Sequence, residues 1–533
     1  MHETPEALVI AVVLGVAVLG GDLAGKYLHL PPPWVWVVVG AALSFLPGLR
    51  EISLPAEVVL YLFLPALLYW ECLNSSLSLI RKDLRVIVLL SVGLVFTTAA
   101  VVAGIGIVLG LAPAIALVLG AVLSPTDSTA FSAWAPGLRR RIGAIIRGEG
   151  LLNDGSALAL YTVAVAAVVA DQEARPATIG LRFVYVVAIG ILTGLIVAVL
   201  LFELRKLARR PRIDDTISLL TPFALYLPAA LLGASGVVAV VSGGLLLARI
   251  LPPIVPARSR SETYSFWRAT THLINGVLFV LIGLQARSVL ATFVADGWVR
   301  LTILCVASYA AILLVRLIWV PGIAQLIRLV DRRPQQRTRR EPFRVHAVIV
   351  WSGFRGAISL AAALSLPRYV ADGSGFPDRG DLIAVTFIVI VLTLFVQGAT
   401  FPAVARRARM GEDGQEQDER ALARTEPVRY ALNHLDEDAA ALAVPSEARD
   451  RVRVRLEREI DRAIDQTGEQ ALLDEKERQL SLRAVARRRQ RATELRNEGR
   501  IDDGVLLGVQ DLLDADEVRL EYEGENPNAH DSA

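Results

Sequence analysis

Apolar stretches separated by short polar segments fill the chain from its first residues to about residue 405. Most of them run for about 17–25 residues, the length that an α-helix needs to cross a bilayer. The pattern predicts an all-α polytopic membrane protein with thirteen transmembrane helices. These spans lie near residues 6–25, 34–47, 54–73, 86–111, 113–134, 142–170, 180–203, 215–233, 235–251, 267–286, 299–325, 343–367 and 381–404.

The fifth and twelfth spans are interrupted near their centres. Span 5 reads Ser-Pro-Thr-Asp at 124–127, and span 12 reads Ser-Gly-Phe-Arg-Gly at 352–356. Pro125 removes a backbone donor and disfavours helical geometry at the preceding residue. Non-helical backbone at membrane depth has to be buried in protein or line a wet cavity. If spans 1–6 and 8–13 form two inverted six-helix repeats, these broken crossing helices occupy matching positions, which is typical of a secondary transporter.

Basic residues alternate between the two sides of this arrangement. With the N-terminus outside, the cytoplasmic loops carry 27 Lys and Arg residues and the external loops carry seven. Because Lys and Arg hold loops on the cytoplasmic side, the sequence predicts an external N-terminus and a cytoplasmic C-terminus. Topology explains the basic loops without a nucleic-acid partner, and the net charge is only +2.

The composition changes sharply after the last span. We predict a transmembrane domain at 1–405 and a cytosolic, mostly helical C-terminal domain at 406–533, where Arg, Glu and Asp interleave at helical spacing. A solvated appendage or dimer contact is favoured there over a ligand-sensing domain.

The chain has only two cysteines, Cys72 and Cys305, in apolar segments and without metal-ligand spacing, so neither a disulfide framework nor a metal-binding Cys cluster is expected.

Ionisable side chains at membrane depth are costly, so each is a candidate functional residue. Glu149 and Asn153 lie four residues apart and share one face of span 6, and Asp154 lies on the neighbouring face. A buried Glu needs a hydrogen-bonded cation as partner, and Arg355 in span 12 is available. We therefore predict a structural Glu149–Arg355 pair in the core, with a catalytic Glu149 as the alternative.

Asp154 has no such obligatory partner, so its carboxylate has to bind either a proton or a metal cation. Competition between these two is sufficient to build an exchanger. The oxygen atoms of Asp154, Asp127, Thr126 and Glu71 form a candidate set for a hard cation such as Na+. Alternatives are an N-cap role for Asp127 and an interfacial role for Glu71. Apart from the transported ions, no cofactor is expected.

At these residues the sequence resembles the monovalent cation:proton antiporter-1 family, which contains the bacterial and animal sodium/proton exchangers. The resemblance covers about residues 5–405 and rests on five separate segments in order. They are 67–71 (Leu-Leu-Tyr-Trp-Glu), 126–127 (Thr-Asp), 149–154 (Glu-Gly-Leu-Leu-Asn-Asp), 275–285 (Asn-Gly-Val-Leu-Phe-Val-Leu-Ile-Gly-Leu-Gln) and 351–357 (Trp-Ser-Gly-Phe-Arg-Gly-Ala).

The resemblance implies a homodimer in which spans 1–3 and 8–10 form the dimer-side domain and the broken-helix core moves past it. It implies that Asp154 carries both the proton and the cation and that Asn153 supports it. It places Thr126 and Asp127 beside the ion. Having Asn153 beside Asp154, and not a second Asp, implies one charge per carrier and electroneutral one-for-one exchange.

Glu149 and Arg355 match the buried ion pair of the family, whereas two positions depart from its pattern. Ser128 stands in place of the usual Pro, and Gly150 stands where relatives often have a Ser that helps to hold the ion. Gly150 thereby removes a hydroxyl from the predicted coordination sphere, which leaves the preference between Na+, Li+ and K+ open.

The sequence thus predicts a multi-pass cell-membrane antiporter, not an enzyme, that exchanges cytosolic Na+ (or Li+ or K+) for external H+ by alternating access. A K+/H+ antiporter of the same fold is the first alternative. A cation channel is disfavoured because the carboxylates are isolated and no polar stripe lines a pore. An intramembrane aspartyl protease would need two catalytic aspartates, and the sequence lacks a Gly-x-Gly-Asp segment.

Overall fold

The computed structural model of this 533-residue chain describes residues 4–46, 58–127, 139–169, 176–208, 211–295, 298–330, 342–370, 373–408, 414–464, 468–498 and 500–524. The chain divides into two compact units, Met1–Met410 and Gly411–Ala533. Within the described ranges every regular element is helical, and the one extended pairing is an isolated antiparallel bridge between Tyr369 and Gly375. The predicted all-α class is confirmed.

The helices of the first unit follow one another with short connections. The first eight are α1 (Thr4–Leu28), α2 (Pro32–Leu43), α3 (Leu64–Leu73), α4 (Leu77–Lys82), α5 (Leu84–Val88), α6 (Leu94–Val108), α7 (Pro113–Leu123) and α8 (Arg140–Val169). The next ten are α9 (Pro176–Ala208), α10 (Pro211–Leu231), α11 (Gly236–Ile250), α12 (Ala257–Leu284), α13 (Ala286–Ala295), α14 (Trp298–Val330), α15 (Phe343–Trp351), α16 (Ala357–Leu364), α17 (Arg379–Leu392) and α18 (Gly398–Ala408). π-Helical turns lie before α3, between α5 and α6 and between α17 and α18, at Val59–Phe63, Leu89–Gly93 and Thr393–Gln397.

Helices lie at all thirteen predicted span positions. Among the described residues, seven stretches are long and apolar enough to cross a membrane: Leu8–Leu28, Leu84–Val108, Arg140–Val169, Gly180–Leu207, Ala257–Phe293, Trp298–Ile327 and Arg379–Ala408. Shorter apolar helices are Pro32–Leu43, Val59–Leu73, Pro113–Leu123 and Gly236–Ile250. The architecture is therefore helical with several apolar spans, while the count of thirteen crossings and the inverted repeat stay predictions.

Both predicted interruptions are present. In span 5, α7 ends at Leu123 and the chain is non-helical up to Asp127, beyond which the predicted remainder of the span lies outside the described residues. In span 12, α15 ends at Trp351 and α16 begins at Ala357. Pro125 accounts for the first interruption because it has no N–H group to continue the helical hydrogen bonds. The breaks leave the end of α7 at Leu123 and the start of α16 at Ala357 buried in the protein.

Helix α8 lies at the centre of the first unit. It contacts α3, α7, α9 and α11, and most of its residues between Ile142 and Ala164 are buried. On α1, in contrast, exposed apolar side chains recur at helical spacing, which is the pattern of a face turned towards lipid. They are Leu8, Val12, Val16, Leu19 and Leu23.

The second unit is helical as well, as predicted for the tail. Its helices are α19 (Gly414–Ala441), α20 (Ser446–Ile464), α21 (Gly468–Asn497) and α22 (Asp503–Gly524). Val485, Leu513 and Leu520 form a small apolar cluster between α21 and α22. On the surface of α21, hydrogen bonds from Arg478 lower the pKa of Glu475 to about 2.

Candidate functional site

Helix α8 carries three of the predicted site residues in its buried central part. Glu149, Asn153 and Asp154 are 1 %, 0 % and 3 % exposed, and the helix is continuous on both sides of them. An unbroken helix fixes the directions of these side chains relative to one another, with Glu149 and Asn153 on one face. The acid and the amide at 153–154 therefore point into the protein from a rigid element.

The two interrupted spans meet beside α8. The backbone N–H of Asp127, in the first break, donates to the carbonyl of Phe354, in the second break, at 2.8 Å. Both residues lie outside helices, so this bond pairs groups that no helix satisfies. The two breaks therefore touch through a direct backbone hydrogen bond.

Opposite charges lie at the helix ends of this crossing. Arg355 donates from Nε to the carbonyl of Leu123 at 3.0 Å and from Nη1 to the carbonyl of Gly353 at 2.6 Å. Leu123 is the last residue of α7, where carbonyls carry partial negative charge. Asp127 lies at the other end, against Gly356 just before α16, where a Cβ on Gly356 would overlap the carboxylate. The Arg355 guanidinium therefore lies at the partially negative end of α7, and the Asp127 carboxylate lies at the partially positive start of α16. Each charge compensates the partial charge of the helix terminus beside it.

Asn153, which directly precedes Asp154, connects α8 to the first break. Its Nδ2 donates to Oγ1 of Thr126 at 3.0 Å. Oδ1 of Asn153 and Oδ1 of Asp154 are buried and have no hydrogen-bond partner within the described structure. The carboxylates of Glu71 and Asp127 act electrostatically on Asp154. The structure therefore brings Thr126, Asp127, Asn153 and Glu71 to the surroundings of Asp154, and their roles in ion binding stay predictions.

The predicted pairing of Glu149 with Arg355 is wrong. The carboxylate of Glu149 binds Arg316 of α14, with Nη1–Oε1 and Nη2–Oε2 distances of 2.5 and 3.4 Å. Arg316 also donates to the carbonyls of Ile349 and Val350, near the end of α15. Arg355 is engaged with carbonyls of the crossing instead, so its guanidinium is held at the end of α7.

Arg316 is the functional candidate that sequence reasoning left without a role. It is 1 % exposed although it lies within a long apolar helix, and the rule that treats every ionisable residue at membrane depth as a candidate applies to it. Its partner could not be found by spacing, because α14 supplies no other polar residue of the site. The guanidinium lies beside Glu149 because α14 packs against α15 and the fold brings Glu149 of α8 to the same point.

The remaining predicted features have mixed outcomes. Glu71 lies near the end of α3 and is half-buried. Gly150 is buried within α8 and offers no side-chain oxygen to the site. Ser128 lies outside the described residues. No group of three or more His, Cys, Asp or Glu side chains suited to a metal ion occurs in the part of the chain that the structure describes.

Residues 9–407 match the sequence profile of the family described as "Sodium/hydrogen exchanger, transmembrane". The chain belongs to this sodium/hydrogen exchanger family, and the predicted resemblance is confirmed. An uncharacterized Na(+)/H(+) exchanger of Mycobacterium tuberculosis (strain ATCC 25618 / H37Rv) is 40 % identical over 524 residues, which is 96 % of each chain. The Na(+)/H(+) antiporter ApNhaP of Aphanothece halophytica is 29 % identical over 80 % of each chain.

Two further similarities bear on function and fold. A sodium, potassium, lithium and rubidium/H(+) antiporter of Bacillus pumilus (strain SAFR-032) is 30 % identical over 75 % of this chain and 62 % of that protein. The solved structure of the sodium proton antiporter MjNhaP1 from Methanocaldococcus jannaschii at pH 8 aligns with a TM-score of 0.59 and 18 % identity, covering 76 % of this chain and 100 % of that one. The structural similarity establishes the fold alone. Family and named relatives together support cation/proton antiport by a membrane protein.

Proposed function

We propose that this protein is a secondary antiporter that exchanges cytosolic Na+ for external H+ one for one. Asp154 carries the proton in one half of the cycle and the cation in the other. The observation that carries the proposal is a buried Asp154 carboxylate with an unpartnered oxygen, next to the Asn153–Thr126 bond that connects α8 to the broken span. An ionised carboxylate in such a place is costly unless it binds a cation or a proton.

The charges around Asp154 favour the binding of one cation or one proton to its carboxylate at a time. Glu71 and Asp127 add negative charge near it, so an empty, ionised Asp154 is repelled by both. Arg316 neutralises Glu149 by forming an ion pair with it. Glu149 therefore does not compete with Asp154 for the cation or the proton. Because Asn153 is neutral, Asp154 alone exchanges its bound ion in this proposal, and one Na+ replaces one H+. This arrangement supports electroneutral exchange.

The candidate ligands for the cation are oxygen atoms. Asp154, Thr126 and Asp127 form its immediate surroundings in this proposal, and Glu71 contributes at the cytoplasmic side. Such ligands suit any hard monovalent cation. The relative from Bacillus pumilus is named as an antiporter of sodium, potassium, lithium and rubidium, so Li+ and K+ are the other candidate substrates.

Alternating access requires the site to open to one side of the membrane at a time. In this proposal the protein lies in the cell membrane with its N-terminus outside and its C-terminus in the cytoplasm. Two copies form a homodimer through spans 1–3 and 8–10, and the core that contains α7, α8, α15 and α16 moves against them.

The test uses inside-out vesicles that contain the full-length protein and hold a pH gradient, to which Na+, Li+ or K+ is added in turn. We expect at least Na+ to dissipate the gradient, and Asp154→Asn to reduce dissipation to the level of empty vesicles. The matched control is Asp22→Asn, the same substitution at an acid of α1 that pairs with His272 at 3.0 Å, and it should remain active.

Each other outcome of this test has a defined meaning. Full activity of Asp154→Asn would exclude Asp154 as the carrier. Dissipation by K+ but not by Na+ would replace the proposal with a K+/H+ antiporter of the same fold. Cation uptake that neither needs nor changes the pH gradient would indicate a channel. A rate that changes when the membrane potential is clamped would contradict one-for-one exchange.

A further inference from the structure

Buried hydroxyl groups on the helices of this protein commonly donate to a carbonyl one turn earlier. Ser91 donates to Ile87 at 2.6 Å, and Thr386 donates to Leu382 at 2.7 Å. Ser359 differs, because its side chain is 1 % exposed and its Oγ has no hydrogen-bond partner in the described structure. A buried hydroxyl without a partner is costly, so this one calls for a specific explanation.

The break in span 12 explains why this hydroxyl is free. Ser359 lies in the first turn of α16, which begins at Ala357. The residue four positions earlier is Arg355, which lies in the non-helical segment. The local acceptor that a serine inside a helix uses is therefore not in place. The same interruption that forms the crossing also leaves a hydroxyl available to a ligand.

Contacts at two levels fix the register of α16 relative to α8. At one level, Asn153 of α8 binds Thr126, whose neighbour Asp127 lies against Gly356 at the start of α16. At the other level, the hydroxyls of Tyr161 and Ser365 are 2.9 Å apart. From the first level to the second, α8 advances from 153 to 161, and the segment that contains α16 advances from its N-cap at 356 to its C-cap at 365, so the two helices run in the same direction.

This register places Ser359 in the layer of Asp154. Ser359 lies three residues beyond Gly356, and Asp154 lies one residue beyond Asn153. At about 1.5 Å of rise per residue, their heights differ by roughly 3 Å counted from the first level and by roughly 1.5 Å counted from the second. The two helices are in contact.

The direction of the Ser359 side chain is consistent with this placement. At 1 % exposed, the Ser359 side chain points into the protein, and it lies three residues beyond Gly356, which faces the carboxylate of Asp127. Counted along the two helices in this way, three buried oxygen atoms without a hydrogen-bond partner among the described residues lie at similar heights. They are Oδ1 of Asn153, Oδ1 of Asp154 and Oγ of Ser359. A layer of unpartnered oxygens from two contacting helices is what a desolvated cation requires.

We propose that the Ser359 hydroxyl is a further ligand of the transported monovalent cation, an inference that rests on the proposed function. A neutral hydroxyl adds an oxygen without changing the number of charges that Asp154 has to balance. It also supplies, from α16, the kind of oxygen that Gly150 does not supply from α8. Ser359 therefore sets the affinity and the ion preference of the site and leaves the exchange ratio unchanged.

The test measures exchange rate against Na+ concentration in vesicles for the full chain and three variants. Losing one oxygen ligand should raise the half-saturating Na+ concentration of Ser359→Ala about five- to tenfold and change the maximal rate less than about twofold. Ser359→Thr keeps the oxygen and should restore the affinity. Ser308→Ala is the matched control, because Ser308 is also fully buried with an unpartnered hydroxyl but lies on α14, and it should behave as the unaltered protein does.

A second measurement separates this inference from the proposed function. Na+ that binds the folded protein raises its thermal unfolding temperature in detergent, and this effect needs no transport. Ser359→Ala should require a correspondingly higher Na+ concentration for the same rise. If the unaltered protein exchanges Na+ while Ser359→Ala keeps its half-saturation in both measurements, the inference is overturned and the proposed function stands. If the unaltered protein neither exchanges Na+ nor is stabilised by it, the proposed function itself fails.

Discussion

At the scale of single residues, the two buried arginines near the break in span 12 have different tasks. Arg316 neutralises Glu149 and also donates to the carbonyls of Ile349 and Val350, which lie in the last turn of α15 and lack helical donors. Arg355 donates to the carbonyl at the end of α7. One arginine therefore balances a buried acid, and the other balances a helix terminus.

A double-mutant cycle distinguishes these tasks. Removing one partner of a buried ion pair leaves an uncompensated charge and costs about 3–5 kcal/mol, whereas replacing both partners by apolar residues costs much less. We expect Arg316→Met to destabilise the purified protein strongly and Glu149→Met/Arg316→Met to recover much of that loss, as measured by thermal unfolding in detergent. The control cycle, Glu149→Met with Arg355→Met, should show little recovery. Equal recovery in both cycles would restore Arg355 as the partner of Glu149.

The sequence predicts the acids of the site better than their partners, for a physical reason. Glu149, Asn153 and Asp154 lie within six residues of one helix, so helical geometry alone relates their directions. The distance from Glu149 to a cation on another helix depends on how α8, α14 and α15 are arranged in the fold, and no local pattern encodes that arrangement. The sequence pattern does not distinguish Ser359 for a similar reason, since its lack of a partner is visible only once the start of α16 is known.

At the scale of elements, π-helical turns are the feature that the hydropathy pattern could not predict. A single extra residue in a turn hardly alters an apolar stretch, yet it leaves a carbonyl without its usual donor. Side chains from other helices use these carbonyls: Trp319 Nε1 donates to Leu89 at 3.1 Å, and Trp34 Nε1 donates to Leu394 at 2.8 Å. In the turn at Thr393–Gln397, Thr393 Oγ1 accepts the backbone N–H of Arg355 at 3.1 Å, which ties the crossing to α17.

The crossing of the two breaks also makes a prediction at the scale of elements. A Cβ on Gly356 would overlap the carboxylate of Asp127, so Gly356→Ala should displace Asp127 and weaken its backbone bond to Phe354. We expect exchange in vesicles to fall at least about tenfold, as 1 Å displacements in a site commonly cause, while the amount of protein in the membrane stays near normal. Gly104→Ala is the control, because nothing lies within 4 Å of a Cβ there. Normal exchange by Gly356→Ala would mean that the contact with Asp127 is dispensable.

At the scale of the whole molecule, helix positions follow from hydropathy because each span is long and apolar, and the all-helical class is obtained in the same way. The side of the membrane on which each loop lies depends instead on the distribution of Lys and Arg, which the folded chain does not reveal without a bilayer. The alternation of 27 and seven basic residues is thus the physical basis for the proposed orientation, and it needs a separate measurement.

The two native cysteines make that measurement direct, because Cys72 and Cys305 are both buried. Single cysteines at exposed positions, Tyr369→Cys in the loop before α17 and Ser446→Cys at the start of α20, can be treated with a membrane-impermeant maleimide in intact cells. If the basic loops lie in the cytoplasm, only Tyr369→Cys should be labelled in intact cells. Ser446→Cys should be labelled only after the membrane is opened. The unaltered chain, as control, should stay unlabelled in both conditions. Labelling of Ser446→Cys in intact cells would contradict the proposed orientation.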